Sequence, residues 1–87
     1  MIKIEIGTKY LIPINSEEES KKIQDYLFSI GCLWPFYNKN YRYLDAKYLC
    51  IGWGNPRELG FTYGEEWALY KINNGEATYV VIKDLLE

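Results

Sequence analysis

The sequence predicts an α+β fold in which one main helix packs on a four- or five-stranded, mostly antiparallel sheet, in the order β-β-α-β-β-β. Apolar and charged residues alternate in the opening stretch MIKIEI, a capped amphipathic run follows, and three later stretches are rich in β-branched and aromatic residues. The 87 residues contain no repeat, linker or low-complexity segment, so we expect one domain spanning residues 1–87.

The first two strands are predicted in residues 1–6 and 9–14. Ile2, Ile4 and Ile6 share one face of an extended segment, which is typical of a half-buried strand. The Gly7-Thr8 pair suits the two-residue turn of a β-hairpin. Because Pro13 has no N–H to give to a neighbouring strand, we expect its strand at an edge of the sheet.

The main helix is predicted over residues 17–30. Ser16 and Glu19 have the spacing of a capping box, and Gly31 suits the position after the helix. A metal or basic-partner site is one interpretation of the three glutamates in residues 17–19, but the capping pattern favours a solvated helix start. One face of the helix carries the apolar residues Ile23, Tyr26, Leu27 and Ile30.

The second half of the chain is predicted to supply three more strands, KYLCIGW, LGFTYG and ATYVVI. NPR and NNG are turn signals, and EEWALY and KDLLE each suggest one helical turn. The core expected from these elements comprises Ile4, Ile6, Ile23, Leu27, Ile30, Leu49, Ile51, Val80 and Ile82.

Residue usage argues against an enzyme and against a bound cofactor or metal. The chain has no histidine, which removes the usual base of Ser-His and Cys-His pairs. Cys32 and Cys50 form no CxxC pair, and Cys50 lies in an apolar stretch that favours a buried thiol over a reactive one. Glu65 and Glu66 are neighbours that point apart, and no phosphate-loop motif occurs.

The charge pattern limits the partners. A net charge of −2 without any basic run leaves no field for holding extended DNA or RNA. The sequence shows no leader and no apolar run of membrane-spanning length, so we expect a cytoplasmic protein with reduced thiols and no membrane partner. The small size and high aromatic content predict a homo-oligomer.

The stretch WPFYNKNYRY, residues 34–43, is the strongest candidate for a binding surface. Five of its ten residues are aromatic, yet Pro35 and the Asn-Lys-Asn tip resist burial in a strand. Single rings such as Trp34 or Tyr41 are also good core residues, and that interpretation stays open for each of them. Exposed rings rimmed by polar groups, however, are typical of binding sites.

Two kinds of ligand fit this composition. Rings stack on a nucleobase while Lys39 or Arg42 bonds a phosphate, and Tyr, Trp and Arg also dominate the hot spots of protein interfaces. We expect Tyr37 or Tyr41 to be the anchoring ring. The full set of candidate ligand-binding residues is Trp34, Phe36, Tyr37, Lys39, Tyr41 and Arg42, with Trp53 and Arg57 in second rank.

Four stretches of the chain resemble the small accessory proteins of tailed bacteriophages. The matching residues are Leu27, Gly31 and Trp34 in an L-x-x-x-G-x-x-W pattern, Tyr48, Leu49 and Ile51 in Y-L-x-I, Tyr63 and Gly64 in a Y-G turn, and Ile82, Leu85 and Leu86 at the end. The resemblance implies a protein made in the cytoplasm of an infected bacterium that counters host immunity. It would do so by sequestering a nucleotide signal or by inhibiting a host defence protein directly.

Overall fold

The computed structural model of the protein describes residues 3–35 and 39–86. Within them the elements are β1 (Tyr10–Pro13), α1 (Glu17–Ser29), β2 (Tyr48–Ile51), β3 (Leu59–Thr62), α2 (Glu65–Asn73), β4 (Thr78–Tyr79) and α3 (Ile82–Leu86). The strands form one sheet in the order β3-β2-β1-β4, in which β1 pairs antiparallel with β2 and parallel with β4. The predicted α+β class is confirmed, whereas the sheet is mixed and the order of elements differs from the predicted one.

Helices lie on both faces of the sheet, where the sequence predicts one main helix on one face. Alternate strand residues point to opposite faces. On the first face, strand residues pack against α1 and α3 in a core that contains Tyr10, Ile12, Ile23, Leu27, Leu49, Ile51, Leu59 and Leu85. On the second face, Leu11, Tyr48 and Cys50 pack against Ala68 of α2. The predicted single turn at EEWALY is thus a helix of 9 residues with a core of its own. None of the helices in residues 3–35 and 39–86 has the length and apolarity needed to cross a membrane.

The start of α1 confirms the predicted capping box. Ser16 Oγ accepts a hydrogen bond from Glu19 N–H at 3.1 Å. Glu19 Oε1 in turn accepts one from Asn15 N–H at 3.0 Å, one residue earlier than in the standard motif. The acidic run therefore serves the first turn of the helix, as the solvated interpretation predicts.

The end of α1 is a Schellman motif centred on Gly31, which has a φ of +95°. Gly31 N–H donates to Phe28 C=O at 3.1 Å, and Cys32 N–H donates to Leu27 C=O at 2.9 Å. A residue with a Cβ is disfavoured at this φ, so the glycine fixes both the end of the helix and the direction of the segment that follows.

The predicted N-terminal strand is wrong for the part of it that is described. Residues 3–5 have no regular secondary structure, and Ile6 is 39% exposed rather than in the core. Gly7 does lie in a turn, closed by a bond from Thr8 N–H to Glu5 C=O at 3.2 Å. No hairpin follows, because β2 and β4 occupy both sides of β1 and leave no edge for another strand.

Pro13 lies in a central strand and not at an edge, which corrects the second expectation. The last bond of the parallel ladder joins Val80 N–H to Leu11 C=O at 3.1 Å. Since alternate residues of a strand face the same side, Pro13 points its nitrogen toward β4 as Leu11 does, but beyond that last bond. The missing N–H therefore interrupts no hydrogen bond, and the proline marks the place where β4 leaves the sheet.

The C-terminal strand is shorter than predicted, because its second half becomes α3. Of the expected core, Ile30 and Ile82 are partly buried. The residues that are buried as predicted are Ile4, Ile23, Leu27, Leu49, Ile51 and Val80.

A buried glutamine joins α1 to the segment that follows it. The Nε2 atom of Gln24 donates to Ser20 Oγ at 3.0 Å and to Arg42 C=O at 2.9 Å. Its Oε1 atom accepts from Trp34 Nε1–H at 3.1 Å and from Arg42 N–H at 3.2 Å. The amide thus uses both donors and both lone pairs, and it pairs with the Arg42 backbone as a neighbouring strand would.

We expect Gln24→Leu to lower the free energy of unfolding by about 2 kcal/mol or more, because it leaves the buried Trp34 indole N–H unpaired and removes both bonds to the Arg42 backbone. Ser20→Ala is the matched control, since it removes one partner and leaves the other three bonds, at a cost of about 1 kcal/mol. Urea unfolding followed by Trp fluorescence measures both. Equal losses for the two variants would show that the bonds to Trp34 and Arg42 add nothing to stability.

Candidate functional site

A groove of about 480 Å³ lies between the segment that follows α1 and the outer edge of β3. Its first wall is formed by Trp34, Pro35, Arg42 and Tyr43. Its second wall is residues 58–61, with Phe61 at the far end. Small-molecule sites typically enclose roughly 300–1,000 Å³, so the groove has the size of a nucleotide-class ligand.

The near end of the groove is set by a short parallel pairing between the two walls. Leu33 N–H donates to Arg57 C=O at 2.9 Å, and Leu59 N–H donates to Leu33 C=O at 2.8 Å. Continuing this ladder by one step would require an N–H from Pro35, which proline lacks. The pairing therefore stops at Pro35, and the walls diverge from there.

Aromatic rings step from the core to the surface along the groove. Trp34 is 2% exposed and meets Tyr43 edge to face, with centroids 5.3 Å apart. Tyr43 stacks on Phe61 at 3.7 Å with the two rings 14° from parallel. Tyr43 and Phe61 are 41% and 38% exposed, so the stacked pair presents apolar area to solvent. Such a patch beside polar groups is typical of a binding surface.

Tyr43 adopts a φ of +51°, in the left-handed region that disfavours a side chain of this size. Two contacts hold the residue there. The backbone of Arg42, immediately before it, is fixed by Gln24, and the Tyr43 ring is fixed against Phe61. Backbone strain of this kind concentrates at binding and catalytic sites, which supports a functional role for the Tyr43–Phe61 pair.

Two tyrosine–carboxylate hydrogen bonds stabilise the segments next to the groove. Tyr41 Oη donates to Asp25 Oδ1 at 2.7 Å, and Tyr63 Oη donates to Asp45 Oδ1 at 2.6 Å. Each bond to a carboxylate raises the pKa of the tyrosine. The two bonds hold residues 41 and 63 to Asp25 and Asp45, which are distant from them in sequence.

The predicted site residues of the first wall divide into a core ring and a groove cation. Trp34 is a buried core residue whose indole N–H is bound by Gln24, so its role is to support the wall. Arg42 is exposed and lines the groove. Tyr41 remains 45% exposed, but its hydroxyl points to α1 and the residue does not line the groove.

Lys39 is exposed, whereas Phe36 and Tyr37 lie outside the described residues. Sequence reasoning missed Tyr43 and Phe61 as the exposed ring pair. Tyr43 ends the WPFYNKNYRY stretch, so the aromatic composition of that stretch could have identified it as a candidate. Phe61 could not be identified in this way. The sequence pattern of LGFTYG predicts a strand, but it does not show that this strand forms an edge beside residues 34–43.

The two second-rank candidates lie elsewhere and do not join the groove. Trp53 packs beside Trp67 with ring centroids 5.1 Å apart, and the Lys9 ammonium lies 4.9 Å from its ring. Arg57 Nη1 donates to Ile30 C=O at 3.4 Å, where a cation is favourable at the end of α1.

Possible metal ligands and the two thiols are the chemical features of the described residues outside the groove. No group of three or more His, Cys, Asp or Glu side chains in residues 3–35 and 39–86 is arranged to hold a metal ion. Both thiols are buried. Burial raises the pKa of Cys50 to about 12, and it raises the pKa of Cys32 as well, with the nearby Arg57 acting in the opposite direction. These are structural thiols, as the sequence predicts for Cys50.

We expect stability to fall as pH rises from 9 to about 12. Folded Cys50 keeps its proton up to about pH 12, whereas in the unfolded chain it loses the proton near the ordinary value of 9.0, so unfolding releases a proton in this window and becomes more favourable.

Iodoacetamide labelling at pH 8 followed by peptide mass mapping checks the same burial. Cys32 and Cys50 should both label slowly in the folded protein and fast in guanidinium. Rapid labelling of Cys50 in the folded protein would contradict its burial.

Comparison of this chain with protein-family models, with curated proteins and with solved structures gave no match.

Proposed function

We propose that the protein is a non-enzymatic binding protein that sequesters a small nucleotide in the groove beside β3. The observation that carries the proposal is the exposed Tyr43–Phe61 stack, which shares one groove with Arg42. Aromatic faces stack on bases of any sequence, and a guanidinium forms charge-assisted bonds with phosphate oxygens. One local cation is enough for a single nucleotide, so the net charge of −2 is compatible with this ligand.

Binding without chemical change fits the lining of the groove. Glu58 is the one carboxylate among the described lining residues, and Tyr43 carries the one hydroxyl. A hydrolase of phosphate esters would need a positioned nucleophile or base together with several cations on the phosphate. We therefore propose a ligand that leaves the protein intact.

The biological setting is proposed from the resemblance to small accessory proteins of tailed bacteriophages. Made in an infected bacterial cytoplasm, a protein that withdraws a nucleotide signal would counter the host defence that depends on that signal. Leu27, Gly31 and Trp34, which carry part of the resemblance, serve the core and the end of α1, so the resemblance concerns the framework and the groove supplies the ligand chemistry.

We expect Arg42→Gln and Phe61→Ala each to weaken nucleotide binding by roughly tenfold to a hundredfold, because one loses the phosphate contact and the other the stacking pair. Isothermal titration with adenosine 5′-monophosphate as the probe measures this. Mass spectrometry of the heat-released ligand should return the nucleotide intact. A chemically altered product would contradict a non-enzymatic protein.

Each of these variants has a matched control on the same chain. Arg57→Gln removes the same charge from a side chain that bonds Ile30 C=O and does not line the groove, and Tyr70→Ala removes a ring that is 61% exposed on α2. Both controls should bind the probe as the unaltered protein does. If the controls weaken binding as much as Arg42→Gln and Phe61→Ala, the groove is not the site.

A second candidate function, direct inhibition of a host defence protein, is favoured by the outer surface of α2. Trp67, Leu69 and Tyr70 are 40%, 45% and 61% exposed on this helix, although its inner side packs on the sheet. Trp and Tyr are enriched in protein-interface hot spots. The same surface is the place where we propose self-association of the expected homo-oligomer.

Substitutions on the two surfaces separate the candidates. If the protein inhibits a partner through α2, a Trp67→Ala, Tyr70→Ala double variant should lose protection of an infecting phage, while Arg42→Gln should keep it. Nucleotide sequestration predicts the opposite pattern in the same plaque assay. Light scattering of the double variant tests self-association, and a mass equal to that of the unaltered protein would remove α2 from the oligomer interface.

A further inference from the structure

The outer edge of β3 has free main-chain groups inside the groove. Leu59 N–H points away from β2, since it donates to Leu33 C=O at 2.8 Å. Because alternate residues of a strand face the same side, Leu59 C=O and both polar groups of Phe61 also point outward. Pro35 stands where the next partner would be and has no N–H to offer Leu59 C=O. In the described part of the chain these three groups make no hydrogen bond.

Along the groove the strand edge therefore presents an acceptor, a donor and an acceptor in that order: Leu59 C=O, Phe61 N–H and Phe61 C=O. A ligand that complements them presents a donor, an acceptor and a donor. The Watson–Crick edge of adenine begins with the amino N–H and the N1 acceptor and continues with the C2–H, which makes a weak C–H···O contact. Cytosine begins the same way but places its O2 acceptor against the third group, where two acceptors repel.

We propose that β3 recognises an adenine-type base through these main-chain groups, while Arg42 binds the phosphate. The base would form hydrogen bonds with the edge of β3 where a neighbouring strand would otherwise pair. The inference rests on the proposed nucleotide-binding function and adds the identity of the base. An added peptide strand fits this edge less well, because the pairing of Leu33 with residues 57–59 closes one end of the groove and leaves Leu59 C=O and the polar groups of Phe61 as the open stretch.

The test is a titration series with four ribonucleoside 5′-monophosphates that share one phosphate and sugar. The bases are 2,6-diaminopurine, adenine, cytosine and N6,N6-dimethyladenine. The 2-amino group of diaminopurine supplies the third donor, so we expect it to bind most tightly, with adenine next and cytosine at least roughly fivefold weaker than adenine. N6,N6-dimethyladenine lacks the amino donor and should fall to the level of cytosine.

A pair of variants tests the role of the main chain. Phe61→Pro removes the outward N–H and the ring, whereas Phe61→Ala removes the ring alone. Proline is tolerated at an edge position whose N–H faces outward, and circular dichroism checks that the variant folds. The ratio of adenine to cytosine affinity should persist in Phe61→Ala and approach one in Phe61→Pro.

The possible outcomes distinguish the two proposals. Equal affinity for all four bases in the unaltered protein overturns base reading by β3 and leaves nucleotide binding in place. Binding of none of the four nucleotides overturns the proposed function, and the inference with it. Tighter binding of cytosine than of diaminopurine overturns the assigned order of acceptors and donor.

Discussion

The groove depends on the hydrogen bonds that the buried Gln24 amide makes with a segment far from it in sequence. The amide joins helix α1 to the chain around Arg42 by bonding both the N–H and the C=O of Arg42. The same side chain fixes the indole of Trp34. A buried amide with all four hydrogen-bonding positions used contributes little net energy when satisfied, but it permits one arrangement of its partners and penalises others. The Gln24 amide therefore selects one conformation of the segment around Arg42 more than it adds to stability.

Two prolines determine where sheet pairing stops, and each stop opens a place for something else. Pro13 lies beyond the last hydrogen bond between β1 and β4. At this point β4 ends, and the chain after β4 continues into α3. Pro35 ends the pairing of Leu33 with β3 and so exposes the edge that lines the groove. An open edge is normally a risk for aggregation, because free N–H and C=O groups accept any extended chain. Here the pairing of Leu33 and the rings beside it restrict access to a short stretch.

Stability and the proposed function meet at the Tyr43–Phe61 pair. The positive φ of Tyr43 costs energy, and the bonds to Arg42 together with the ring stack offset it. The result is a rigid aromatic surface beside a cation, arranged before any ligand arrives. Such pre-organisation lowers the entropic cost of binding, which matters in a domain with a small core. Sequestration in particular depends on slow release, and rigid contacts lengthen the lifetime of a complex.

Local features of the fold could be predicted from the sequence, since each depends on residues within one or two turns of chain. The capping at Ser16, the helix end at Gly31 and the turn at Asn55 required only short-range hydrogen bonds, and their residues specify them. The stretch around Arg42 could be recognised as polar and aromatic at once, which predicts partial exposure but does not say which rings are exposed.

Tertiary structure decided the rest, because those features depend on partners distant in sequence. The position of β1 in the centre of the sheet follows from β4 arriving on its free side, and this displaced the expected N-terminal strand. Trp34 became a core residue because Gln24 bonds its indole, and Phe61 became a groove residue because β3 is an edge. Hydrophobic periodicity predicts the two faces of a strand. Which strands lie beside it depends on packing across the whole domain. The sequence by itself therefore determined the α+β class, the ends of α1 and the mixed polar and aromatic character of residues 34–43, and the assembled sheet determined which residues form the groove.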